Sequence, residues 1–398
     1  FVNDLKDFAL PNLRKAKTLH LFVMNIEALS TDKGFDTAKD FISMNPNIIT
    51  VVDESTTIKN RQARRTKNVI HLGRMSKYTR ILTGSPITKS PMDLYSQCDF
   101  LTKNCLGLSS FYAYQNRYAI VVQRTMGRHS FREITGYRRL DELNEKLDTF
   151  SYRVLKEDCL DLPKKIYIRR EVLLSPEQTK AYAQMKKLAL TKLESGELAT
   201  TQSVLTQIMR LQQICCGFLR TDEEELVPLK NNRLDELLDI ADEVQGKAII
   251  WATWSHDIEM IADALRRRFG PEAAATYYGA TPQNDRQEIV ERFQDKDSDL
   301  RFFIGQPKTG GYGITLTAAN TMIYFSNSYD LEIRLQSEDR AHRIGQEQNV
   351  TYIDLMAVGP ELRGKQQKTI DEKIVKALRD KINIAGQVLG EDAKQWLI

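Results

Sequence analysis

Short apolar runs alternate with amphipathic stretches of helical period twice along this chain, and this alternation narrows the fold more than any other feature. Asn47–Val52 (NIITVV) is a continuous β-branched run. That composition predicts a strand buried on both faces, as in parallel sheets covered by helices. Tyr78–Leu82 reads as a second strand. Further on, Ala248–Trp251, Ala274–Tyr278, Arg301–Ile304, Thr321–Phe325 and Val350–Met356 read as strands. Between them, Arg233–Val244, Ser255–Phe269, Thr281–Phe293 and Leu331–Ala341 read as helices. In Ser255–Phe269 the buried face is Ile258, Ile261, Ala262 and Leu265, and Thr281 with Pro282 reads as a helix start. Strands alternating with helices twice over predict two parallel α/β units.

The segments around this frame are less regular. Leu19–Met24 is apolar and strand-like, Thr37–Met44 is helical, and Pro91–Leu101 opens a helix. Residues 102–160 interleave aromatics (Phe111, Tyr112, Tyr114, Tyr118) with arginines (Arg117, Arg124, Arg128, Arg132, Arg138, Arg139). Such a stretch suits nucleic-acid contact, and equally a helical insertion with a half-buried aromatic stripe. Lys165–Leu174 alternates as a strand does. Ser175-Pro176-Glu177-Gln178 starts a helix that runs to about Gly196, and Thr201–Cys215 is another, with Ile208, Leu211 and Ile214 on one face. The acidic stretch 221–229 marks a domain boundary, and Lys365–Leu389 is helical.

Composition excludes several classes. With 41% hydrophobic and 28% charged residues the chain can bury proper cores and is not a disordered polymer. Its net charge of +4 permits nucleic acid without demanding it. No apolar run approaches a membrane span, and the start is not a signal peptide. The five cysteines form no CxxC pair and the five histidines are scattered, so the thiols read as reduced and a metal centre of their own is not expected.

Three stretches carry chemistry. Gln336–Gln346 (QSEDRAHRIGQ) spaces Gln336, Arg340 and Arg343 four and then three apart. On a helix that spacing puts an amide and two guanidiniums on one face, suited to the charge of a transferred phosphoryl group. A solvated charged face fits the same residues. Asp53 and Glu54 follow the buried run. Two carboxylates at the end of a parallel strand sit where open α/β sheets place ligands, and can hold hydrated Mg²⁺ and orient a water. Alone, such a pair is more often two solvated acids in a turn. In Lys308–Thr317 (KTGGYGITLT), Gly310, Gly311 and Gly313 let backbone amides approach a phosphate or sugar, or simply make a flexible loop.

Taken together and in order, these stretches resemble the SNF2 branch of the superfamily 2 helicases. VVDEST (Val51–Thr56) resembles their acidic box and ILTGSP (Ile81–Pro86) their third motif. KAIIWATW (Lys247–Trp254), GGYGITLTAAN (Gly310–Asn320) and QSEDRAHRIGQ resemble motifs four, five and six. The resemblance covers nearly the whole chain. It implies an α/β fold of two RecA-like parallel-sheet lobes with helical insertions, the first lobe incomplete at its N-terminus. The expected divisions are 1–174 for lobe 1 with an insertion at about 102–160, 175–228 for a helical linker, and 229–398 for lobe 2 with a C-terminal helix.

The resemblance also implies roles. Asp53 would hold Mg²⁺ through water and Glu54 would activate the attacking water. Gln336, Arg340 and Arg343 would reach the γ-phosphate of ATP, with Gly311 and Gly313 near the nucleotide. Thr83, Gly84 and Ser85, with Lys308, Thr309 and Gly310, would couple nucleotide state to the DNA track. The family moves along duplex DNA by opening and closing its two lobes. The acidic box reads DEST rather than DEAH or DEGH, but keeps both carboxylates. No GxxxxGK[ST] loop occurs; the family carries it upstream of the equivalent of Phe1, so an N-terminally truncated chain is expected. Its compactness resembles bacterial and phage members, which implies a cytoplasmic, monomeric motor acting on forked or branched DNA. The alternative is a non-catalytic DNA-binding motor fragment.

Overall fold

The computed structural model describes residues 19–126, 129–194, 201–220, 225–310, 313–362 and 364–389. Two compact units result, one of residues 1–151 with 383–393 and one of residues 152–382 with 394–398.

In the first unit α1 (Asp32–Met44) starts at Thr31, whose hydroxyl accepts the Gly34 amide at 3.1 Å. Then follow β1 (Ile49–Val52), α2 (Arg64–Met75), β2 (Tyr78–Ile81) and α3 (Leu94–Leu101). The two strands are parallel, with Val52 opposite Ile81. Ala38 and Ile42 of α1, Val69 and Leu72 of α2, Phe100 of α3 and Val52 share one core. The sequence pattern predicts burial on both faces of β1, and this is corrected. Ile49 and Val51 are 50% and 49% exposed. Among the described residues β1 pairs only with β2, and the helices cover only the Val52 face. Leu19–Met24 likewise forms no strand, since it has no ladder partner among the described residues, although Phe22 stacks on Phe41 at 5.0 Å.

Residues 102–160 are not wholly helical. Between α4 (Phe111–Tyr118) and α5 (Leu140–Asp148) lies an antiparallel hairpin, β3 (Ala119–Met126) and β4 (His129–Tyr137). Its root joins a second core with Tyr114, Tyr118, Leu143 and Leu147. The aromatics Tyr114 and Tyr118 that fill this core lie on α4, ahead of the strands.

The second unit opens with α6 (Lys156–Cys159) and β5 (Lys165–Leu173). The helices α7 (Pro176–Glu194) and α8 (Thr201–Cys216) follow, then a small hairpin of β6 (Phe218–Arg220) and β7 (Leu226–Pro228). Ser175 and Gln178 cap α7 reciprocally, each side chain taking the other's backbone amide at 3.0–3.1 Å. The α/β repeat is α9 (Asn232–Glu243), β8 (Lys247–Trp251), α10 (Ser255–Phe269), β9 (Ala274–Tyr277), α11 (Gln283–Gln294), β10 (Phe302–Gly305), the single turn α12 (Pro307–Gly310), β11 (Ala319–Tyr324), α13 (Leu331–Glu338) and β12 (Val350–Leu362). It closes with β13 (Lys365–Lys368) and α14 (Ile370–Leu389).

The seven-stranded sheet runs β13-β12-β11-β8-β10-β9, with β5 also on β12, and only β13 is antiparallel. Every residue of β8 and β10 is buried, as expected for central strands of a covered parallel sheet. Ile258, Ile261, Ala262 and Leu265 are wholly buried as the periodicity predicts.

Three expectations shift. The strand β5, placed in lobe 1 by a boundary at residue 174, pairs in register with β12 from Lys165–Val350 to Leu173–Val358. The helix α11 begins at Gln283 with Pro282 as its cap residue, because the Thr281 hydroxyl is taken by Tyr278 N and Thr276 O. Lys365–Lys368, expected to be helical, extends the sheet as β13.

Candidate active site

The acid pair sits at the carboxyl end of β1, beside the carboxyl end of its parallel neighbour. The ladder carries on past both strands, with Leu82 N bonded to Val52 O at 2.9 Å and Ser55 N to Leu82 O at 3.0 Å. Asp53–Glu54 and Thr83-Gly84-Ser85 are thereby brought to one edge. Asp53 is exposed, and its Oδ1 accepts the Glu54 amide at 2.9 Å. Glu54 has φ 48° and ψ 59°, the left-handed region. That conformation costs a non-glycine residue about 1–2 kcal/mol. It persists because ladder bonds fix the chain on either side.

Buried polar contacts hold this edge in place. The Ser55 hydroxyl donates to Gln97 Oε1 at 2.6 Å, and Gln97 Nε2 donates to the carbonyls of Pro86 and Asp93 at 2.8 Å each. Thr83 turns its own loop, its hydroxyl accepting Ser85 N at 3.2 Å. Asp93 Oδ2 gathers the amides of Thr88, Lys89 and Ser90. Lys59 Nζ bonds Thr88 Oγ1 at 2.8 Å. Gln97 and Asp93 are supports that the sequence reasoning missed, although Ser90-x-x-Asp93 carries the spacing of a capping box.

In the second unit the arginines converge without sharing a helix. The expected single helix face is corrected: α13 ends at Glu338, and only Gln336 lies on it. Arg340 and Arg343 occupy the turns that follow, yet both reach one acceptor. Arg340 Nη1 lies 3.2 Å and Arg343 Nη1 3.3 Å from Ile314 O. Arg340 Nε also donates to Gln336 O at 2.8 Å. The Arg343 guanidinium is half-buried and has no carboxylate partner among the described residues. Gln336 Oε1 is buried with no hydrogen-bond partner among the described residues.

The turn is pinned by Gln346, another residue given no role from sequence although it closes the motif. Its Nε2 lies within 3.3 Å of the carbonyls of Thr317, Ala319 and Ala341. Leu316 N to Arg340 O at 2.9 Å ties the same segments. His342 binds Pro163 O at 2.7 Å, and burial pushes its imidazole below the usual range, which keeps it neutral.

The glycine-rich stretch begins at the exit of β10. Lys308 is exposed and Thr309 half-buried on α12. At Gly310 a Cβ would lie 2.8 Å from the Trp251 ring, so glycine is required there. Gly313 has φ +74°, which glycine adopts without strain. Gly311 lies outside the described residues. Asp53, Glu54, Thr83, Gly84 and Ser85 therefore gather in one unit, and Gln336, Arg340 and Arg343 gather around Ile314 in the other. A groove of about 610 Å³ beside β9, lined by Arg266, Tyr278, Asp285 and Arg292 among others, contains none of these residues.

Comparison with known families puts the acid pair and the arginines in two successive models, although the boundary between those models falls later in the chain than the boundary between the compact units. The model of the SNF2-related domain matches residues 16–218, and that of the helicase conserved C-terminal domain matches residues 229–345. The chain belongs to the SNF2 family. Among SNF2 relatives, YwqA of Bacillus subtilis, provisionally named an ATP-dependent helicase/translocase, is 26% identical over 385 residues, covering 94% of this chain and 39% of that protein. The mouse DNA annealing helicase and endonuclease ZRANB3 is 26% identical over 375 residues, covering 92% of this chain and 32% of its own length. The SWI2/SNF2 ATPase core of Sulfolobus solfataricus in complex with dsDNA aligns with a TM-score of 0.44 at 24% identity, over 88% of this chain and 70% of that one. This SNF2 chain thus spans well under half the length of the curated relatives it matches.

Proposed function

We propose that this chain is the motor portion of an ATP-dependent DNA translocase that acts on duplex DNA and remodels forked or branched DNA. One observation carries the reading: the guanidiniums of Arg340 and Arg343 converge on one backbone carbonyl, Ile314 O. A guanidinium has five donors in a fixed fork. For Arg343 the carbonyl at 3.3 Å engages one of them, and no carboxylate pairs with it among the described residues, so an anion with several oxygens suits this side chain. The mouse relative's name as a DNA annealing helicase supports the DNA part of the reading.

ATP and Mg²⁺ fit the residues present. The Asp53 carboxylate is exposed and fixed to the backbone through one oxygen, which suits a ligand that holds a hydrated cation through water. Arg340 and Arg343 would take the terminal phosphate, and the unmatched Gln336 Oε1 beside them would accept a hydrogen bond from a water, not from the phosphate. Bound Mg²⁺ would neutralise phosphate charge. Glu54 would accept a proton from the attacking water and orient it. Thr83, Gly84 and Ser85, one strand away from the acids, would transmit the state of the site to DNA, as would Lys308, Thr309 and Gly310.

ATP hydrolysis measured with duplex, forked and single-stranded DNA tests this, for the 398-residue chain beside a version extended upstream. Turnover stimulated by duplex or forked DNA in either version is the expected result. DNA binding without turnover in both versions would replace the motor reading with that of a binding module.

A further inference from the structure

Residues 117–139 contain six arginines and one glutamate, a net +5 in a chain whose total is +4. The rest of the chain is therefore slightly acidic, and the excess positive charge lies along the sequence of the β3–β4 hairpin and the residues that flank it.

The root of that hairpin is rigid. Arg117 binds Glu142 of α5 through Nε and Nη2, each at 2.7 Å, and the Tyr118 hydroxyl adds a third bond at 2.9 Å. These bonds, with Arg117 foremost, hold the Glu142 carboxyl well down, at about 2. Val121, Ile134 and Tyr137 pack on the core containing Tyr114 and Tyr118. Beyond that level the ribbon leaves the body. Val122 to Thr125 on one strand and Ser130 to Glu133 on the other are all exposed. Successive residues of a strand point to opposite faces, so exposure of every residue means both faces are bare. A free two-stranded ribbon gains little stability by itself, and this one shows Val122 and Phe131 to water, 39% and 47% exposed. Its two faces differ. Arg124 lies opposite Phe131 on one, with the Arg124–Glu133 pair at 2.6 Å crossing the strands. Arg132 lies opposite Gln123 on the other, one Nη held by Asn116 Oδ1 at 3.1 Å.

We propose that the β3–β4 hairpin is a DNA-holding arm that sits at a branch point, with one DNA arm against each face. Arg124 and Arg132 contact phosphates on opposite sides, and Phe131 lies against a base exposed at the junction. The nucleic-acid class rests on the DNA reading proposed above. The arm itself stands on separate residues, since neither arginine nor Phe131 belongs to the motifs of the candidate active site.

The test is DNA binding by the full chain as a function of salt, on linear and forked DNA. Each phosphate contact contributes about 0.9 to the slope of log K against log salt on duplex DNA. The double variant Arg124→Gln/Arg132→Gln should lower that slope by about 1.8 on forked DNA and weaken binding at least tenfold at about 0.15 M salt. A control variant, Arg267→Gln/Lys296→Gln, removes two exposed charges elsewhere and should change neither. Phe131→Ser should leave the slope unchanged and reduce the preference for forked over linear DNA by about tenfold, because stacking carries no counterions. All variants should keep the parent's thermal midpoint. An unchanged slope in the arginine double variant, with binding intact, would overturn the arm while leaving the motor reading standing. An equal loss in the control variant would also overturn it, by showing a diffuse charge effect. If the arginine variant loses slope but no DNA stimulates hydrolysis, the arm stands and the motor reading falls. If the unaltered chain binds no DNA, both fall.

Discussion

Glu54 is held in a left-handed conformation that glycine would adopt without cost, so local stability and the acid's proposed role pull in opposite directions. Glu54→Gly should leave thermal stability equal to the parent or up to about 1 kcal/mol higher, since relief of strain outweighs added chain entropy. The same variant should lose ATP hydrolysis, so calorimetry and turnover together separate a working residue from a structural one. The arginine pair makes a complementary case. Arg343→Ala should reduce DNA-stimulated hydrolysis by about 10³–10⁵, the range of arginine fingers in phosphoryl transfer. DNA affinity should stay within about twofold. Turnover like that of the parent would sink the assignment. The chemistry of both sites is readable because it lies in side-chain type and order along the chain. The backbone that presents them is not, because nothing in QSEDRAHRIGQ reveals that Gln346 will capture three carbonyls and end the helix early.

Elements are legible where burial is complete and local. The strands β8 and β10 and the helix α10 follow their apolar patterns because a wholly buried strand, or a helix with one wholly buried face, carries that signal in its own residues whatever its partners are. Alternation marks β5 as a strand and says nothing about its partner, here β12 more than 170 residues away. A buried ionic cluster joins these distant elements. Arg334 of α13 bonds Glu338 at 2.8 Å and Asp354 of β12 at 2.5 Å, and lies 3.4 Å above the Tyr324 ring. Lys165 and Tyr167 of β5 reach the same Glu338 at 3.3 and 2.8 Å. Burial opposes the Glu338 charge, yet Lys165 and Arg334 hold its carboxyl below the usual range. Arg334→Met should destabilise by about 3–5 kcal/mol in chemical denaturation, because it removes the guanidinium that two buried carboxylates share and leaves each with fewer partners. Arg334→Met combined with Glu338→Gln should recover part of that loss. A loss under about 1 kcal/mol for the single variant would mean that the cluster is not what secures β5 and α13.

At the scale of the whole molecule, the order of the motifs fixes two units and their fold class, whereas the division between them follows sheet pairing that no local pattern encodes. One consequence of that packing concerns pH. Asp257, in the first turn of α10, is completely buried, and neither of its oxygens has a hydrogen-bond partner among the described residues. Burial pushes its carboxyl up to about 8, against the pull of the Arg233 guanidinium. The folded protein then holds a proton that the unfolded chain releases near pH 4, so stability falls as pH rises between those values. Two groups of the same unit act the other way: burial lowers the imidazoles of His256 and His342, which adds stability as pH rises towards 6.5. Above about pH 7 both histidines are largely neutral in either state, and Cys215 and Cys216 stay protonated because burial raises their thiols. The window from about pH 7 to 8 therefore reports mainly on Asp257. The slope falls below about 1.4 kcal/mol per pH unit as the pH nears the folded value, so the second unit should lose about 1 kcal/mol across it. Trp251 and Trp254, both in that unit, allow the unfolding to be followed by fluorescence. The midpoint should fall over this window in the parent and stay level in Asp257→Asn, which keeps the shape of the side chain without its charge. The variant should also be the more stable protein at the upper end of the window. A parent midpoint that is flat across the window would show that Asp257 is ionised in the folded state and finds a partner there.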